Sequence, residues 1–118
     1  MPTNAEALAA VLRDAGITRI FGHPGGEIVL FIEACRRVGV DFHLIAHEAS
    51  AAFMADVTGQ ITGLPGVCVS TVGPGATNLV TGVANAFLDR SPVLAVTAQL
   101  STRLDAANTH QRQDLIRL

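Results

Sequence analysis

Residues 67–98 read VCVSTVGPGATNLVTGVANAFLDRSPVLAVTA. This stretch decides the fold. It begins with one β-branched run, Val67–Val72, and closes with another, Val93–Ala98. Both are apolar at successive positions, the pattern of strands covered on both faces of a sheet. Between them a Gly-Pro-Gly turn opens a helical pattern over 76–88. There Leu79/Val80, Val83/Ala84 and Phe87/Leu88 make a wide apolar face, with Asn78, Thr81 and Asn85 as an uncharged polar stripe opposite. Strand, helix and strand in this order form the βαβ unit of a parallel sheet.

The same alternation extends toward the N-terminus. Arg19–Gly22 and Asp41–Ala46 are two more short apolar runs, and the four run centres lie about 25 residues apart, room for a helix and two turns. Thr3 with Glu6 is a capping-box pattern ahead of the stripe Leu8, Val11, Leu12 and Ala15, which Gly16 stops. Ile28, Phe31, Ile32 and Cys35 recur at helical spacing within 27–38, and an Ala-rich helix is predicted over 48–61, with Gly63 beyond its end. The fold class is α/β: a doubly wound parallel sheet with helices on both faces, in a single domain over 1–118. Residues 99–113 are polar and irregular. Asp114–Leu118 then starts an apolar pattern that has neither cap nor closing glycine, so the chain is expected to be a piece of something longer.

Composition removes several function classes. Eight basic against ten acidic residues give −2, and aromatic content is 4% with no Trp or Tyr, which argues against a nucleic-acid groove or a base-stacking platform. No stretch approaches the ~18 apolar residues of a membrane span, and the N-terminus lacks a basic start and an apolar signal core, so a cytoplasmic protein is expected. Cys35 and Cys68 have no metal-ligand spacing and read as buried thiols. Charged residues make up 15% of the chain, against about 25% in an average soluble domain. Between Arg37 and Asp89 only Asp41, Glu48 and Asp56 carry charge. That section is expected to be covered by other protein; a surface solvated by Ser, Thr, Asn and Gly is the alternative.

In such sheets ligands bind beyond the carboxyl ends of the strands. The segments that follow the strands are His23-Pro24-Gly25-Gly26, His47-Glu48, Gly73-Pro74-Gly75-Ala76-Thr77-Asn78 and Gln99-Leu100-Ser101-Thr102. Glu48 stands at a strand–helix junction among alanines, with no Lys or Arg within ten residues on either side. The helix dipole alone would favour an acid there. A carboxyl group in such apolar, base-free surroundings can also hold or share a proton with a ligand nitrogen, which is general acid/base work. The Gly-Pro-Gly turn lacks the lysine of a P-loop, and Pro74 removes a donor, so it reads as a tight turn against a flat ring or a partner. His43 reads as a core or edge residue. No i, i+4 His pair is present for zinc, and no metal ligands are assigned.

The ordered motifs Phe21-Gly-His-Pro-Gly-Gly26, His47-Glu48 with its Ala-rich helix, Thr62-Gly-Leu-Pro-Gly-Val67, Gly73-Pro-Gly-Ala-Thr-Asn78, Asp89-Arg-Ser-Pro92 and the Gln99 region resemble the N-terminal, pyrimidine-binding domain of thiamine-diphosphate-dependent enzymes. The likeness is to the acetolactate synthase and pyruvate oxidase branch, and it covers nearly the whole chain. It implies that Glu48 hydrogen-bonds N1′ of the cofactor's aminopyrimidine and favours the imino tautomer, the form able to deprotonate thiazolium C2 for attack on a 2-keto acid. It also implies that His23, Pro24, Gly25, Pro74 and Asn78 line the pyrimidine site and that Gln111 approaches the reacting centre. Where the branch has Phe-Gln-Glu, this chain has His110-Gln111-Arg112, which leaves the particular 2-keto acid open. The resemblance further implies Mg²⁺ in the complete enzyme and leaves FAD open. It implies a diphosphate-binding domain supplied by a second subunit of a homodimer or homotetramer, and no turnover by this chain alone. A non-catalytic dimerisation module built on the polar stripe Asn78, Thr81 and Asn85 is the alternative, and a flavodoxin-like nucleotide binder a weaker one.

Overall fold

The computed structural model describes residues 1–101 together with Arg103, Asp114, Leu115 and Arg117. The expectations for the tail, including Gln111, lie outside the described residues. The remainder folds as β1 (Arg19–Gly22), β2 (Asp41–Leu44), β3 (Gly66–Ser70) and β4 (Val93–Thr97) in one sheet of order β2-β1-β3-β4. All three pairings are parallel, with Phe21 opposite His43 and Cys68, and Val67 opposite Leu94.

The helices are α1 (Asn4–Asp14), α2 (Val29–Arg37), α3 (Glu48–Thr62), α4 (Pro74–Asn78) and α5 (Val80–Asp89), with a single 3₁₀ turn at Gly26–Ile28 leading into α2. They lie on both faces of the sheet, as the alternation predicts. Two-residue periodicity divides the central strands between two cores. Ile20, Val67 and Val69 pack with Ala9, Leu12, Ile28 and Phe31 under α1 and α2. Phe21 and Cys68 pack with Ala51, Ala52, Ala55 and Leu79 under α3 and the α4–α5 segment.

Local signals explain the boundaries. The capping box at the start of α1 is formed in both directions: Glu6 N–H donates to Thr3 Oγ1 over 3.2 Å, and Thr3 N–H donates to Glu6 Oε2 over 2.8 Å. Gly63 closes α3 in the left-handed region at φ 72°. The helix expected over 76–88 differs in two ways. It starts two residues earlier, because Pro74 takes a first-turn position where its missing N–H costs nothing. It also breaks at Leu79, whose N–H bonds back to Ala76 O over 3.2 Å in a 3₁₀-type step.

Two further expectations are corrected. Strand β3 is buried throughout, but β4 is half-buried to exposed along its length, since it pairs with β3 alone among the described residues. The polar stripe is also divided: Thr81 is exposed, but Asn78 and Asn85 turn onto α3, where they meet Glu48 and Asp56, while the apolar Val80, Phe87 and Leu88 are exposed. Buried carboxylates on α3 need hydrogen-bond donors more than Phe87 needs burial.

Candidate active site

The strand order reverses between β1 and β3, a switch point at which the turns following these strands face one another. Thr71 stands at its centre. A Cβ on Gly25 would lie 2.4 Å from Thr71 Cβ, and a Cβ on Gly75 would lie 2.9 Å from Thr71 Cγ2. The Thr71 hydroxyl donates to the Glu27 carboxylate, tying the turn after β1 to the end of β3. Both glycines are therefore required by close packing on one threonine.

The β2–α3 junction is fastened to the same rim. Ile45 N–H donates to Gly22 O over 2.8 Å, and His23 donates from Nδ1 to Ile45 O over 3.0 Å. His47 has extended backbone (φ −143°), and its Nδ1 accepts from Ala49 N–H over 3.1 Å, so this side chain serves as the N-cap of α3. Glu48 is then the first helical residue, directed inward and only 8% exposed.

Asn78, at the last position of α4, donates from Nδ2 to Glu48 Oε2 over 3.0 Å. The other oxygen, Oε1, faces Gly75, where a Cβ would come within 3.4 Å of it, and accepts no hydrogen bond from the described residues. The chemistry of the pair follows. With Oε2 occupied by an amide donor, a proton carried by this carboxyl group sits on Oε1, on the glycine side. A ring nitrogen brought to that side would meet a group able to donate or accept. The residues present thus fit a heterocycle that needs a proton held at one nitrogen.

The structure therefore brings Glu48, Asn78 and Gly75 together, with Gly25 next to them across Thr71. His23, Pro24 and Pro74 are exposed on the rim, and none of the three is hydrogen-bonded to Glu48 among the described residues. Thr71 and Glu27 were missed. A strand run to Val72 hides Thr71 inside the sheet; ending it at Ser70 would have put Thr71 on the rim ahead of the Gly-Pro-Gly turn.

Residues 2–117 match the model of the thiamine pyrophosphate enzyme family, N-terminal TPP binding domain. The chain belongs to this family. Among its relatives, the "Probable acetolactate synthase large subunit" of Methanocaldococcus jannaschii is 45% identical over 114 residues, 97% of this chain and 19% of that protein. The acetolactate synthase isozyme 2 large subunit of Escherichia coli is 41% identical over 114 residues, 97% of this chain and 21% of that protein. Acetolactate synthase 2, chloroplastic, of Nicotiana tabacum is 35% identical over 113 residues, 95% of this chain and 17% of that protein. The chain thus spans about a fifth of the length of these relatives. The matched span includes Gly25, Glu48, Thr71, Gly75 and Asn78. No helix among the described residues is long and apolar enough to cross a membrane.

Proposed function

We propose that this domain is the pyrimidine-binding half of a thiamine-diphosphate site acting on 2-keto acids, with Glu48 as its proton-holding catalytic group. The observation that carries the reading is the asymmetry of the Glu48 carboxyl group: Oε2 held by Asn78, Oε1 turned toward Gly75 without a partner among the described residues. When bound, thiamine diphosphate supplies the carbon nucleophile for decarboxylation or carboligation. Glu48 holds a proton at the pyrimidine nitrogen N1′. Asn78 fixes the carboxyl orientation. Gly25, Gly75 and Thr71 shape the flat wall, while His23, Pro24 and Pro74 flank it from the rim. Gln111 is assigned to the substrate side on the strength of the resemblance.

The charged end of the cofactor calls for cationic or metal-held partners. None of His23–Gly26, His47, Glu48 or Gly73–Asn78 is Lys or Arg. The diphosphate and any Mg²⁺ are therefore held by another segment or subunit, and this chain alone neither turns over nor binds the cofactor tightly. Assembly as a homodimer or homotetramer accounts for exposed apolar side chains of α3 and α5, among them Phe53, Met54, Val57, Phe87 and Leu88. Asn78 and Asn85, two members of the polar stripe, are engaged on α3 and so are not available to a dimerisation module built on that stripe.

The test is Glu48→Gln in the longer polypeptide containing this domain, assayed with pyruvate, thiamine diphosphate and Mg²⁺. Glutamine keeps an oxygen for Asn78 but loses the exchangeable carboxyl proton. Turnover is expected to fall by roughly 10²-fold or more, the scale of a lost general acid–base group, with the oligomer intact. Unchanged turnover would refute the reading.

A further inference from the structure

The site residue Asn78 belongs to a larger pattern. Along α3, Glu48, Ala52 and Asp56 recur at four-residue spacing and face the α4–α5 segment at Asn78, Gly82 and Asn85 in the same order. The middle contact is the tightest: a Cβ on Gly82 would lie 2.4 Å from Ala52 Cβ and 3.1 Å from Ala49 O. The outer contacts share one chemistry, an asparagine amide donating to a carboxylate, 3.0 Å at Asn78–Glu48 and 2.8 Å at Asn85–Asp56. Asp56 is 2% exposed and also accepts from Gln60 over 2.8 Å, while the Asn85 amide also reaches Asp89 over 3.0 Å.

Small residues bring the two helices close at Ala49, Ala52 and Gly82, and Leu79 and Val83 pack beside them. A displacement by one helical turn, about 5.4 Å, would bring a side chain into the space Gly82 leaves at Ala52 and would strip both carboxylates of their amides. Buried polar pairs of this kind set register between helices at some cost in stability. From the geometry we infer that Asp56 and Asn85 are positioning residues: their hydrogen bond locks the register of α5 against α3 and so holds Asn78 at Glu48. The consequence for catalysis rests on the proposed role of Glu48, but the register itself does not.

The test therefore reads the Asn78–Glu48 contact and not turnover, so that an active Glu48→Gln enzyme would leave it standing. In the ¹⁵N-labelled chain the side-chain amide of Asn78, assigned by its loss in Asn78→Asp, is followed in Asp56→Ala and Asn85→Ala. Leu12→Ala, in the core under α1 and α2, serves as a control of comparable or greater destabilisation. Both α3–α5 variants are expected to shift the Asn78 signals toward the free-amide position and to speed their solvent exchange roughly ten-fold, the scale of one lost hydrogen bond. Leu12→Ala is expected to leave them in place. Asp56→Asn, which keeps an accepting oxygen for Asn85, should restore at least half of the displacement. If Asp56→Ala does not fold, Asn85→Ala decides, because it leaves Asp56 its Gln60 partner. Unmoved Asn78 signals in Asn85→Ala, an equal movement in Leu12→Ala, or no restoration by Asp56→Asn would each overturn the assignment.

Discussion

Asn78 reaches across thirty positions of sequence to place its amide 3.0 Å from the Glu48 carboxylate, joining the end of α4 to the first residue of α3. Neither residue is fully satisfied without the other. A hydrogen bond to an ionisable group contributes about 1.5–3 kcal/mol, less where water can replace it. A double-mutant cycle with Glu48→Ala and Asn78→Ala, followed by urea unfolding, is expected to give a coupling energy of about 1–2 kcal/mol. Additive losses would mean that the two side chains do not depend on each other.

Gly82 is a packing requirement of the same interface. Gly82→Ala would thrust a methyl group against Ala52 Cβ, where only 2.4 Å is available. Alanine normally stabilises a helix relative to glycine by about 1 kcal/mol, so the sign of the effect decides between propensity and space. Overpacking is expected to prevail, with a net loss of about 1–3 kcal/mol in chemical denaturation. Adding Ala52→Gly should recover part of the loss by removing the nearest obstructing atom. A Gly82→Ala variant as stable as the parent would show that α5 is free to move away from α3.

Much of this fold was legible because its determinants are local. Four apolar runs with helices between them require no knowledge of distant partners, and the capping box at Thr3 and the stop at Gly63 are set by a few neighbouring residues. Glu48 could be singled out for the same reason, by its position and by the lack of bases around it. What could not be read was pairing. Asn85 appears polar on an amphipathic helix, and only the packing of α5 on α3 shows that it faces Asp56. The predicted apolar face is split, with Leu79 buried in the core and Phe87 81% exposed. Hydrophobic periodicity identifies a face and not what covers it.

The two cysteines read as buried thiols, and their surroundings make them inert. Desolvation pushes Cys35 up to about 11 and Cys68 up to about 12, so the nucleophilic thiolate is scarce near neutrality. Neither is paired in a disulfide. Labelling of the folded chain with a thiol reagent at pH 7–8 is expected to be far slower than in denaturant, where both sites should react fully. Rapid native labelling would indicate frequent opening of β3 or α2.

Asp56 gives the acid limb of stability a specific source. The Ser91 hydroxyl beside it, then the Gln60 amide and the Asn85 amide hold its carboxyl group below the ordinary aspartate range against the opposing effect of burial. Asp89 shares the Asn85 amide with it. Because the folded chain lowers the proton affinity of Asp56, the unfolded chain binds the proton first as pH drops. The stabilisation is therefore complete above the unfolded value, about 3.9, and is lost as pH falls through the lower native one. The expected result is a steeper loss of stability below about pH 4 in the parent than in Asp56→Asn, with the slopes differing by up to about one proton. Urea unfolding at a series of pH values measures both slopes. Parallel curves would mean that the Asp56 carboxyl group titrates alike in the folded and unfolded chains.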